Sequence, residues 1–249
     1  MDGLTHYTDK IDSLLGILKN GFAWVPNRRN LMPALVPHAD FSQREPQQFG
    51  MISFTDWPPP APLQHRQTFG DFGIIISREW ALAEKPLRGF HPENVRPALR
   101  AQRVLYIDDG PLVEALRWLF TTAFERTFAA DSYDVLSATN PMVNRAMAGL
   151  EDKMLWANLL TLYEYFEPGS HAFQREWLIV HPIPRFGYPP KAEIIKSVTT
   201  SEGWSKVTDS SSLRPPADAI VGFVCPSDQV QRLRSELPAH HSSKVILGV

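Results

Sequence analysis

The run HAFQREWLIVHP, residues 171–182, sets a carboxylate beside a guanidinium in what reads as a strand over residues 174–180. Alternate side chains of a strand share a face. Phe173, Arg175, Trp177 and Ile179 are therefore expected on one side, and Gln174, Glu176, Leu178 and Val180 on the other. Arg175 should lie with Trp177 at a wet edge, where an indole can rest on a guanidinium or its stem. Glu176 falls among apolar residues. A buried, unpaired carboxylate is costly, so Glu176 must either meet a protein cation or be poised for chemistry.

Two other polar stretches sit at strand ends. His6-Tyr7-Thr8 closes a short strand just before a helix, and His65-Arg66 precedes Phe69-Gly70 and Phe72-Gly73. An imidazole at a strand end suits hydrogen bonding or proton transfer, and equally suits a core histidine satisfied by a backbone carbonyl. His65 and Arg66 read as residues of a solvated surface helix. A weaker alternative pairs His65 with Asp56 in a hydrolase that depends on a divalent metal. No H-E-x-x-H and no other metal-ligand spacing occurs, so no metal site is expected. Phosphate-cradling glycine loops and the G-x-S-x-G elbow are also missing from the sequence. Cys225 lies in an apolar run and reads as a small buried hydrophobe.

The elements that must carry these residues follow from periodicity. LTHYT is a strand. Thr8 is a candidate cap for a helix whose Ile11, Leu14, Leu15 and Leu18 share one face, ending at Asn20-Gly21. Residues 24–49 have no sustained period and read as a long loop or lid. GMISFTD (50–56) is a strand stopped by three prolines, FGIIIS a strand buried on both faces, and RVLYID (103–108) another strand. Two helical stripes come next, Leu112, Leu116, Phe120, Ala123 and Phe124, then Leu155, Leu159, Leu162 and Phe166. Near the end are the strand ADAIVGFVCP, a helix over 227–237 with Ser227 as its cap, and a last strand in SKVILGV. Residues 200–216 read as a surface connection. The expectation is one α+β domain over 1–249, about seven strands in a mixed, mostly antiparallel sheet, with a helical insert at about 109–168.

Composition is that of an ordinary globular chain: 249 residues, 43% hydrophobic, 21% charged, net charge −2. The near balance of charge gives no bulk reason for a nucleic-acid or membrane partner. With one cysteine, Cys225, there is no intrachain disulfide, which fits a reducing compartment. The start shows no signal-peptide pattern, and no apolar run approaches ~18–20 residues, so a cytoplasmic protein without a membrane span is expected.

Taken together, LTHYTDKIDSLLGILKNGF, GMISFTDWPPPAPLQHRQTFGDFGIIISREWA, RVLYID and FQREWLIV resemble the AbiGi family of abortive phage-resistance proteins over most of residues 4–181. The second block is the specific one, with His65, Phe69, Gly70, Phe72, Gly73 and Trp80 in place. Where that family reads E-W-R, this chain reads Glu176-Trp177-Leu178, so the trailing arginine has no counterpart. Arg175 precedes the glutamate and would point to the other face. This resemblance implies phage defence in a toxin–antitoxin pair, with a cognate partner protein.

More distantly, His6-Tyr7-Thr8 before a helix ending in ILKNGF, with a late strand glutamate, is similar to ADP-ribosyltransferases of the His-Tyr-Glu and DarT-like kinds. That likeness implies a split-sheet ADP-ribosyltransferase-like fold and NAD as substrate, with a protein or nucleic-acid acceptor. In it His6 would hold a ribose, with Thr8 in the same cofactor-binding motif, and Glu176 would steady positive charge at the anomeric carbon as nicotinamide leaves. Tyr7 and Phe54 would be ring partners, and His65 and Arg66 would border the cofactor, Arg66 on the pyrophosphate. The alternative is a non-catalytic antitoxin or binding partner in which the same residues form a structural network.

Overall fold

A computed structural model describes residues 2–26, 31–37, 50–85, 100–107, 110–128, parts of 151–163, 165–181 and 212–249. The expected lid over 24–49 lies mostly outside these residues, as do Asp108-Asp109 and most of the connection at 200–216.

In chain order the strands are β1 (Gly3–Thr8), β2 (Val25–Pro26), β3 (Gly50–Thr55), β4 (Phe72–Ser77), β5 (Gln102–Arg103), β6 (Leu105–Ile107), β7 (Phe166–Pro168), β8 (Glu176–His181), β9 (Ile220–Cys225) and β10 (Val245–Gly248). The helices are α1 (Ile11–Asn20), α2 (Met32–Leu35), α3 (Leu63–Phe69), α4 (Arg78–Leu82), α5 (Pro111–Phe128) and α6 (Val230–Glu236). The main sheet runs β10-β9-β4-β1-β3-β8-β5, with β2 also paired to β3. Its pairings are antiparallel except β10 with β9. The α+β arrangement and mostly antiparallel sheet are as expected.

RVLYID is not one strand. It breaks at Val104, whose N–H donates to Glu176 O (3.0 Å), so that β5 stays in the main sheet while β6 pairs in parallel with β7. Since β6 precedes α5 and β7 follows the helical residues of 151–163, this small pair closes the neck of the helical insert. Within the insert Leu112 faces solvent, and Val113 joins Phe120 and Ala123 in the core. Two expected caps fail. Thr8 Oγ1 donates to Lys10 O, and α1 starts without a side-chain cap. Ser227 begins a 3-10 turn, and Gln229 precedes α6.

Both faces of the sheet are covered. Leu4, Ile52, Phe54, Ile74, Ile76, Ile179 and Phe223 pack against Ile11, Leu14 and Leu233 of α1 and α6. On the opposite face, Leu178 and Val180 meet Phe120, Trp156 and Leu159, while Tyr7, Ile75 and Val224 form a separate cluster with Ala61. No helix among the described residues is long and apolar enough to cross a membrane.

Candidate functional site: a polar row across β1, β3 and β8

β1 pairs with β4 at six consecutive positions but meets β3 at only one, Thr5 opposite Thr55. The sheet therefore opens between β1 and β3, and backbone groups freed there need other partners. His6 supplies one: its Nδ1 lies 2.7 Å from Ser53 O. A carbonyl only accepts, so Nδ1 carries the proton and Nε2 keeps its lone pair. The ring packs edge-on against Phe22 and Phe54, with centroids 5.1 and 5.8 Å away. Burial pulls its pKa below the ordinary histidine value against the weaker opposing effect of the Ser53 bond, so the imidazole is neutral at pH 7.

Register fixes the faces. Thr5 lies opposite Thr55 and Thr55 opposite Glu176, so these three share one side. Phe54 lies opposite Trp177, and His6 packs on Phe54, so His6, Phe54 and Trp177 share the other. His6 and Glu176 do not border a common cleft. Tyr7, on the Glu176 side, and Phe54, on the His6 side, are separated in the same way and cannot sandwich one ligand ring.

Glu176 is 3% exposed. Its N–H donates to Tyr106 Oη (2.7 Å). Beside it Thr55 Oγ1 donates to Gln174 O (2.8 Å) and accepts from Trp57 N–H (3.3 Å). Gln174 and Thr5 are also buried. Further along, the fully buried Glu167 stands opposite Tyr106, and its Oε2 lies 3.3 Å from His171 Nδ1. Sequence reasoning missed Thr5, Thr55, Tyr106, Glu167 and His171. The available signal was the spacing of Glu167 and His171, four residues apart, and a threonine in each of two neighbouring strands.

Strand β8 begins at Glu176, not at Gln174, because Arg175 takes a left-handed conformation (φ 48°, ψ 51°) at the end of a 3-10 turn, Gly169–Gln174. This turns Arg175 away from Trp177. Its Nε reaches Asp56 Oδ1 at 2.6 Å and its guanidinium lies 4.6 Å from the centre of the Trp57 ring. Trp57 Nε1 in turn donates to Phe173 O (2.7 Å), so the end of β3 is clamped to the start of β8. The guanidinium over Trp177 is that of Arg78, 5.3 Å from the ring centre.

His65 is buried, not solvated. It lies between Tyr7 and Phe69, with ring centroids 5.2 and 4.7 Å away, and burial drives its pKa down to about 4. Arg66 is held by an ion pair with Asp71, and its Nε donates to Ala61 O (3.0 Å). Ala61 N–H donates to Tyr7 Oη (2.8 Å). Neither arginine nor histidine here stands ready for a pyrophosphate. The hydrolase pairing fails likewise, since Asp56 serves Arg175. Among the described residues no group of three or more His, Cys, Asp or Glu could hold a metal ion.

The H-x-x-x-F-G-x-F-G block thus builds a platform. Gly70 (φ 101°) passes so close to β1 that a Cβ there would sit 2.0 Å from Thr8 O. Gly73 lies opposite Tyr7, whose ring a Cβ would approach to 3.3 Å. Tyr7 and the Thr5 methyl lie over Gly73, and His65 packs between Tyr7 and Phe69. No family model matches the chain, and no curated protein or solved structure matches it either.

Proposed function

We propose that the chain is the non-catalytic partner of an abortive-infection pair, a cytoplasmic phage-defence protein that acts by binding its cognate toxin. The resemblance of its motifs to AbiGi proteins supplies the context. The observation that carries the non-catalytic role is the division of His6 and Glu176 between the two faces of the sheet. An NAD transferase needs its ribose-binding group and its charge-stabilising carboxylate on one ligand, within roughly 10 Å of each other in a pocket of ordinary size. Here His6 satisfies a carbonyl freed by the split between β1 and β3, and Glu176 heads a buried polar row. Co-expression with the product of the adjacent gene tests this reading. It predicts a defined complex and relief of that protein's toxicity. A chain that stays monomeric beside its neighbour, and is itself toxic, contradicts it.

One observation favours a second reading, an ADP-ribosyltransferase-like fold that binds NAD. The fixed tautomer of His6 leaves Nε2 as an acceptor on a half-buried residue, suited to a ribose hydroxyl. On that reading Glu176 would still need a route to the opposite face. Loss of NAD binding in a folded His6→Ala protein supports it, and unchanged or undetectable binding rejects it.

A further inference from the structure

Among the described residues, Thr5 and Gln174, 1% and 5% exposed, each carry a buried side-chain oxygen without a hydrogen-bond partner, Thr5 Oγ1 and Gln174 Oε1. Both flank Thr55. Thr5 lies directly opposite it in β1, and the Gln174 carbonyl accepts from its hydroxyl. Interiors rarely leave such atoms unmet, and where the chain offers no partner an ordered guest usually does. A Cβ on Gly73 would lie 2.9 Å from Thr5 Cγ2, so the threonine methyl fills the gap over that glycine. The backbone of Gln174 is held by Thr55 and by the Arg175 clamp that follows it.

We propose that the Thr5–Thr55–Glu176 row, with Gln174, is a binding site for guest hydroxyl groups, from ordered water or from a small polyol. A hydroxyl both donates and accepts, so it can serve an amide oxygen and a threonine hydroxyl alike. Apolar clusters on either side, one around Tyr7 and Ile75 and one around Leu178 and Val180, shield the row from bulk solvent. The site does not depend on the partner reading above.

Thr5→Val and Thr5→Ser test it together with a high-resolution crystal structure of the wild type. Valine keeps the shape and removes the hydroxyl; serine keeps the hydroxyl. If a guest is bound, Thr5→Val lowers the Tm by about 2–4 °C while Thr5→Ser stays nearer the wild type. The wild-type map then shows oxygen density within about 3.2 Å of Thr5 Oγ1 and of Gln174 Oε1. Density present in crystals grown without polyol identifies water. Density that appears only with glycerol or ribitol identifies a polyol hydroxyl. A Thr5→Val protein as stable as the wild type or more so overturns the proposal, because removing a dry, unpaired hydroxyl should stabilise. So does a map with no oxygen at either atom. Should Thr5→Val fail to fold, the wild-type map decides.

Discussion

At the scale of single residues, the two ions of the Arg175-Glu176 pair have different fates from those that plain alternation assigns. Alternation places Glu176 correctly on the Leu178 face but fails for Arg175, because the strand starts one residue later and Arg175 is left-handed. Nothing in Gln-Arg-Glu-Trp marks a positive φ at an arginine, a conformation that costs roughly 1–2 kcal/mol. The Asp56 pair and the Trp57 ring hold it there. Arg175→Gly and Arg175→Ala both lose that clamp, but only alanine keeps the strain. Urea unfolding should therefore find Arg175→Ala the less stable of the two by about 1 kcal/mol. Equal stabilities would mean that the left-handed turn is not populated.

Glu176→Ala should cost about 1–3 kcal/mol, since it strips a carboxylate from a buried polar row. In a chain of this size that lowers the Tm by several degrees in calorimetry. His65 makes a pH prediction. Its folded pKa of about 4 lies below the unfolded value near 6.5, so the unfolded state binds the proton more readily. The stabilisation from burying the neutral ring is complete above about pH 6.5 and is lost as pH falls toward 4, by up to about 3 kcal/mol. His65→Gln should flatten that part of the pH–stability profile. An unchanged slope would place His65 in solvent, as the sequence alone suggested.

At the scale of elements, strands were legible where their pattern is local. β1, β3, β4, β9 and β10 stand where alternation or an unbroken apolar run put them. The division of RVLYID between two sheets was not legible, because it depends on Val104 N–H pairing with Glu176 O, some seventy positions away. The most specific sequence block was recognisable, yet its job was not. His65, Phe69, Gly70 and Gly73 look like site residues in one dimension and form a packing platform under Tyr7 in three. Gly70→Ala combines a left-handed φ with a backbone clash at Thr8, and should destabilise by roughly 3 kcal/mol or more. Circular dichroism melts would show it. A near-neutral Gly70→Ala would mean that α3 does not pack against the end of β1 as described.

At the scale of the whole molecule, the sheet is a partition. Sequence order brought His6 and Glu176 together as first and last members of a motif series, and adjacency in the sheet does bring β1, β3 and β8 side by side. What order cannot convey is parity: one residue of register separates a shared cleft from opposite faces. Thr5 opposite Thr55 and Thr55 opposite Glu176 set that parity and leave His6 on the far side. The split beside β1 then gives His6 a structural task, and the Glu176 face becomes a buried polar row.

Nicotinamide release from labelled NAD, measured for purified wild type and for Glu176→Gln, tests this account most directly. Neither protein, both folded by circular dichroism, should release nicotinamide above background. Release by the wild type that Glu176→Gln abolishes would contradict it, since Glu176 would then share a ligand with groups the sheet holds apart.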